Sequence, residues 1–280
     1  MSIQNNEKNE KVRQLYDRLK TGVQDILASG RIDEVLKFQA KFHKYSFGNI
    51  MLILHQFPDA TQVAGYNRWK ELGRYVRKGE HGIRIFAPCP YRRTVMDEHT
   101  GEETEKTITY FRVVTVFDVS QTEGSPLPGC DEGSAPVEDT LAGEALYNRL
   151  LSVSPVPVRF DECRGDGYYS IDRREIVLAR NLDGDQRAGT LLHEVAHALA
   201  FQTGEQQRHR RRGDEEYVKG EVVAEGAAFV AASYFGIAVP GSFDYVAGWA
   251  KRPEVVIKWG DAVQRVAAKL IDLVEVGKAA

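Results

Sequence analysis

The sequence predicts an α+β fold in two domains, an N-terminal α+β module over residues 1–124 and a mostly helical domain over 140–280, joined by a linker at 125–139. Three observations lead there. A chain of 280 residues exceeds the usual reach of one hydrophobic core. Strand-like runs and glycines crowd the first half, whereas helical patterning dominates toward the C-terminus. Between them, SPLPGCDEGSAPVED concentrates Pro, Gly, Ser and acids without any period, the composition of a linker.

In order along the chain, Val12, Leu15, Leu19, Val23 and Ile26 recur at spacings of three and four and predict an amphipathic helix over 9–29 that stops near Gly30. A second helix is expected over 33–56, more apolar toward YSFGNIMLILHQF and therefore buried. After Pro58, short helical and strand-like pieces alternate with glycines at 65, 73, 79 and 82. The segment TVMDEHTGEETEKTITYFRVVTVFDV reads as a β-hairpin turning at His99, Thr100 and Gly101. Beyond the linker come a helix at 140–152, a strand at 157–160, a hairpin in YYSIDRREIVLAR and a long helix containing HEVAH.

Composition removes several function classes. At 42% hydrophobic and 28% charged, the chain is neither disordered nor membrane-embedded, and its longest apolar runs are too short to span a bilayer. A net charge of −3 gives no global attraction for nucleic acid, so any such binding must be local. Cys89, Cys130 and Cys163 are scattered, which argues against a disulfide framework. The polar start MSIQNNEKNEK lacks the apolar core of a signal peptide, so a cytoplasmic protein is expected.

The chemistry concentrates in GTLLHEVAHALAF. His193 and His197, four residues apart, project from one face of a helix and can grip one metal ion. Glu194 beside them is the expected catalytic residue. A Zn2+ held by two imidazoles and a carboxylate keeps an open position for water, lowers its pKa toward about 7 and polarises a carbonyl, with Glu194 as general base. The apolar neighbours Leu191, Leu192, Val195, Ala196, Leu199 and Ala200 predict burial, which a rigid site needs. In EVVAEGAAFVAASYFG, Glu221 and Glu225 share one helical face among apolar residues, where an unpaired charge would be costly. Glu221 is assigned as third ligand and Glu225 as the acceptor behind a histidine. Spacing does not choose between this assignment and its reverse. Tyr217, one turn earlier, could face an oxyanion, packing being its plainer role.

Between Tyr66 and Arg93 stand eight basic residues, Arg68, Lys70, Arg74, Arg77, Lys78, Arg84, Arg92 and Arg93, against two acidic ones, Glu71 and Glu80. Tyr66, Trp69, Tyr75, Phe86 and Tyr91 interleave with them. Cations for phosphates and aromatic faces for bases are what single-stranded nucleic acid requires, although a small module needs aromatic residues for its core in any case. RHRRR at 208–212 either extends such a path or is a solvated loop.

The helices HEVAH and EVVAE resemble the gluzincin metallopeptidases, and the ordered motifs YSFGNIMLI, GYNRWKELGRYVRKGEHGIRIFAP and VFDVSQTEG resemble the N-terminal domain of ArdC-type antirestriction proteins. That family, borne by plasmids and phages, joins a single-stranded-DNA-binding module to a zincin-like metallopeptidase domain. The likeness covers roughly residues 10–124 and is extended by the two helices. YYSIDRREIVLAR and the longer linker are nearer to ImmA/IrrE-type peptidases. The resemblance implies that Arg74, Arg77, Lys78 and Arg84 follow a phosphate backbone while Trp69, Tyr75 or Tyr91 stack on bases. A separate option is a peptidase that acts on a partner protein: a restriction enzyme, a repressor or a toxin. The rival expectation is a DNA-protecting factor whose zinc serves only folding.

Overall fold

The computed structural model describes residues 2–29, 32–96, 103–127, 143–162, 165–182, 184–208, 214–237 and 253–276. The expected turn at His99, Thr100 and Gly101, most of the linker, Cys130, Cys163 and His209–Arg212 of the basic run lie outside them. The chain forms two compact units, Met1–Gly22 with Leu52–Leu127, and Val23–Met51 with Pro128–Ala280. The change of unit after Leu127 falls within the stretch read as a linker. Residues 23–51, assigned from sequence to the first domain, belong to the second unit.

The first unit is built on a long antiparallel ladder between β3 (Ile83–Met96) and β4 (Glu103–Asp118), with β1 (Val63–Gly65) on the far side of β4. Alternation explains its inner end, where Ile83 and Ile85 are buried opposite Val116 and Val114 while Arg84 and Thr115 face solvent. Because β1 pairs only with residues 116–118, the outer ladder is two-stranded. Its aromatic side chains stay exposed, Tyr91 at 42%, Tyr110 at 54% and Phe111 at 55%. This strand starts well before the predicted hairpin, because Pro88 and Pro90 did not break it. Two residues apart on an edge strand, they direct both missing N–H groups to the same side, where no ladder bond is lost. The helix α4 (Tyr66–Glu71) and the small pair β2 (Arg74–Val76) and β5 (Thr122–Gly124) complete the unit with residues 2–22 of α1 (Ser2–Ser29), which buries Leu15 and Leu19.

In the second unit, the single helix expected over 33–56 is divided into α2 (Ile32–Lys41) and the start of α3 (Phe47–Gln56). The break has identifiable causes, two local and one distant. Turns form at Phe42 and Tyr45, the Ser46 hydroxyl accepts from the Asn49 N–H at 3.4 Å, and the Asp261 carboxylate accepts from the Phe47 N–H at 2.9 Å. Apolar content marked burial correctly but was blind to this cap.

A three-stranded sheet in the order β6 (Val158–Asp161), β8 (Glu175–Ala179), β7 (Gly167–Ser170) lies beside α6 (Gly184–Gln202). The expected hairpin is β7–β8, turning through Arg174 at φ 50°, and β6 runs parallel to β8. The core helix is α7 (Glu215–Tyr234), packed against α2, α6 and α8 (Pro253–Val276). Its Val222, Val223, Ala224, Ala227 and Ala228 are buried, as are Leu191, Leu192, Val195 and Ala196 of α6. Small residues let α7 approach closely enough for opposing side chains to meet. Among the described residues, no helix is long and apolar enough to cross a membrane.

Candidate metal centre

Two helices deliver the site. His193 and His197 point from one face of α6, as i and i+4 must, toward Glu221 on α7, and their ligand atoms lie within 4.8 Å of one another. The imidazole Nε2 atoms are 3.1 Å apart, and Glu221 Oε2 lies 3.7 Å from His193 Nε2 and 3.6 Å from His197 Nε2. Ligand atoms about 2.1 Å from a common tetrahedral centre are about 3.4 Å apart, so this triangle has the dimensions of a metal face.

Hydrogen bonding behind the rings makes the same point independently. Glu225 Oε2 is 3.2 Å from His193 Nδ1, and Gln206 Oε1 is 2.8 Å from His197 Nδ1. Both acceptors face Nδ1, so each ring carries its proton there and turns a lone pair inward at Nε2. In that form the two Nε2 lone pairs and Glu221 Oε2 converge, and only a proton shared between His197 and Glu221 or a cation can relieve their repulsion. A divalent cation resolves that repulsion, and the donor set of two imidazoles and one carboxylate suits one.

The carboxylates are tuned in opposite senses. Burial pushes Glu194 above the usual carboxyl range, opposed by the two histidines and by the Tyr169 N–H that donates to it. Burial also pushes Glu221 upward, but hydrogen bonds from His197 and Tyr217 and the attraction of both histidines overcome it, leaving Glu221 below its ordinary value. For His197 burial opposes protonation, yet Glu221, Glu194 and Gln206 together raise it. Glu194 is buried, feels the charges of His193, His197 and Glu221, and accepts from the Tyr169 N–H of β7.

The sequence-derived set His193, Glu194, His197, Glu221 and Glu225 is thus brought together, with Glu221 in the ligand triangle and Glu225 behind His193. Tyr217, read from sequence as a packing residue or an oxyanion donor, instead donates its hydroxyl to Glu221. One participant was not read from sequence. Gln206 had no signal in the acid and histidine pattern at all.

The basic segment of the first unit divides differently. Trp69 is 1% exposed, and its indole N–H donates to the Phe117 carbonyl at 2.9 Å, so the ring is a core element and not a surface for stacking bases. Arg74 directs its guanidinium to Thr122 Oγ1 at 2.8 Å, the Ser125 carbonyl at 2.7 Å and the Thr122 carbonyl at 3.1 Å, which ties β2 to β5. Arg77 pairs with Glu80 at 2.7 Å, and hydrogen bonds from Arg77 and Gln121 hold that carboxyl below its usual range. Tyr75, Lys78 and Arg84 are exposed. On the two-stranded ladder, Tyr91 and Tyr110 have ring centroids 5.9 Å apart and Phe86 and Phe111 6.3 Å, with Arg92 and Arg112 exposed nearby. Tyr110, Phe111 and Arg112 were not singled out from sequence, because adjacent strand residues face opposite ways and one normally faces a core.

A knot around Asp118 ties VFDVSQ to the residues ahead of GYNRW and to the KGEHG turn. The buried Asp118 carboxylate accepts from the N–H groups of Thr61, Gln62 and Ser120 at 2.8–2.9 Å, while Gln121 donates to Glu80 and to the His81 carbonyl.

Comparison with known proteins agrees with this anatomy. Residues 5–117 match the family described as the N-terminal domain of anti-restriction factor ArdC. An uncharacterized protein of Bacillus anthracis is 29% identical over 137 residues, which is 42% of this chain and only 23% of that protein's length. Two crystal structures of the antirestriction ArdC protein from the R388 plasmid share the fold. The metal-free form is 23% identical at a TM-score of 0.52, the Mn(II)-bound form 20% identical at 0.53, and each comparison covers 83% of this chain and 84% of the other.

Proposed function

We propose, from the match of residues 5–117 to the N-terminal domain of anti-restriction factor ArdC, that this chain is of the ArdC antirestriction type, that it binds single-stranded DNA through its first unit, and that it hydrolyses peptide bonds at a zinc site in its second. The observation that carries the peptidase reading is the convergence of two imidazole nitrogens and a carboxylate oxygen beside a buried carboxyl raised in pKa. Zn2+ bound there would act as a Lewis acid toward a carbonyl and acidify water.

The chain's own groups supply the rest. His193, His197 and Glu221 hold the ion, and Glu225 keeps His193 oriented. Burial leaves Glu194 basic enough to take a proton from attacking water and, once protonated, to pass it to the leaving amine. The Tyr169 N–H holds that carboxyl in place. The R388 ArdC protein is known in a Mn(II)-bound form, which favours a divalent ion for this chain and leaves the choice of metal to direct analysis.

For the first unit, support comes from the exposed set Tyr75, Lys78 and Arg84 and from the ladder aromatics Tyr91, Tyr110 and Phe111 flanked by Arg92 and Arg112. Cations that follow phosphates and open aromatic faces are the two components of sequence-tolerant single-strand binding.

The deciding experiment combines elemental analysis with a cleavage assay on a mixed protein or peptide substrate. About one zinc per chain in wild type and Glu194→Gln, with hydrolysis lost in Glu194→Gln by about 10²-fold or more, is expected. Metal retained but hydrolysis absent from wild type would favour the rival in which the ion serves only folding. A further comparison in cells then asks whether antirestriction follows Glu194 or the exposed cations.

A further inference from the structure

We propose that Gln206 is the positioning residue of the metal centre, holding His197 in the Nδ1–H form so that its Nε2 lone pair faces the ion, and that the C-terminal turn of α6 together with Gly220 is built to keep it there. The inference rests on the metal-site reading above. It adds a group from outside the two motif helices.

The end of α6 shows how the placement is achieved. Gly204 takes φ +76°, a left-handed conformation that side chains disfavour, and its N–H donates to the Phe201 carbonyl at 3.2 Å. The Glu205 N–H reaches back to the Ala200 carbonyl at 2.9 Å, completing a Schellman closure of the helix. The Gln206 N–H shares that carbonyl at 3.0 Å. Instead of leaving the helix, the chain folds back along it and brings Gln206 to the turn that carries His197. Glu205 is tethered to Arg265 of α8 at 2.7 Å, which fixes the fold-back from outside.

The other wall is α7. A Cβ added at Gly220 would lie 2.8 Å from Gln206 Nε2 and 2.9 Å from its Cδ, so the amide occupies the space that a side chain at 220 would fill. One residue later, Glu221 enters the ligand triangle. Gln206 is buried, and its Oε1 sits 2.8 Å from His197 Nδ1. A buried amide wedged between two helices has few rotamers open to it, so the oxygen stays aimed at the ring. The two histidines are consequently supported unequally, His193 by the Glu225 carboxylate and His197 by a neutral amide.

The test measures Zn2+ affinity by competition with a chromophoric chelator, together with long-range proton–nitrogen NMR of the histidine rings in the metal-free protein. Gln206→Met keeps volume and removes the acceptor. It is expected to weaken zinc binding by about 10–100-fold and to release His197 into a mixture of tautomers. Gln206→Glu, which restores an acceptor, should stay within a few-fold of wild type. Gly220→Ala should weaken binding in the same direction by displacing the amide, and it decides the matter if Gln206→Met fails to fold. Equal zinc affinity in wild type, Gln206→Met and Gly220→Ala, with the His197 tautomer unchanged, overturns the role of Gln206 while leaving the metal site standing. No zinc uptake by wild type overturns the metal site itself.

Discussion

The HEVAH and EVVAE helices and the GYNRW–VFDVSQ module are both conspicuous in sequence, but their conspicuous residues do opposite things. On α6 and α7 the motif residues turn toward one point and form a site. In the first unit many of them turn toward each other: Trp69 bonds Phe117, Arg74 bonds Thr122 and Ser125, and Gln121 bonds Glu80 and His81. The difference lies in what the pattern constrains. Four-residue spacing on a helix fixes a direction in space, whereas a mixture of basic and aromatic residues fixes only a composition. A small module draws on that composition for its own core and hydrogen bonding before any surface is left for a ligand.

The largest effect that would sharpen this contrast is at the ligands. His193→Ala or Glu221→Ala should abolish tight zinc binding, read by elemental analysis after dialysis, with helix content retained in circular dichroism. Zinc kept by Glu221→Ala and lost by Glu225→Ala would exchange the two carboxylates and break the assignment.

Next comes Trp69→Ala, expected to cost the protein about 3–5 kcal/mol by emptying a buried aromatic site. Denaturant unfolding checks it. Tyr75→Ala on the exposed face should change stability by less than about 0.5 kcal/mol. A stable Trp69→Ala protein with weakened DNA binding would return that ring to the DNA face.

The opposed carboxyls give a pH test in chelator-treated protein. Glu194 is raised on folding, mainly by burial, so its stabilising contribution is present at acid pH and is lost as pH rises through its folded value. Glu194→Gln should therefore gain Tm relative to wild type as pH increases toward neutral. Glu221 is lowered despite its burial, so its contribution is present near neutral and is lost as pH falls through the folded value. Glu221→Gln should lose Tm near neutral and converge on wild type on acidification. Parallel curves for the two variants would contradict the opposite tuning.

The smallest effect belongs to the exposed cations. Lys78→Ala with Arg84→Ala should leave stability within about 0.5 kcal/mol and reduce the slope of log affinity for single-stranded DNA against log salt by about 2. A slope unchanged in this double variant would place the phosphate path elsewhere, and a flat response in wild type would remove the DNA reading.

By itself the sequence determined the α+β class, most of the helical segments and the grouping of His193, His197 and Glu221 into one candidate metal centre, because periodicity and spacing are local quantities written in consecutive residues. His193 and His197 had to share a face, and the buried setting of Glu221 and Glu225 demanded partners. Tertiary structure alone decided the remainder. The cap from Asp261 that helps divide the expected helix over 33–56 lies 214 positions from Phe47 in the chain. Pro88 and Pro90 are tolerated because β3 is an edge strand, and Tyr110 and Phe111, on opposite faces, are both exposed because neither face of the outer ladder is packed over. Gln206 reaches His197 only because Gly204 turns the chain back and Gly220 leaves room. Each depends on what another segment of chain brings alongside, and a residue's own neighbours in sequence carry no record of that.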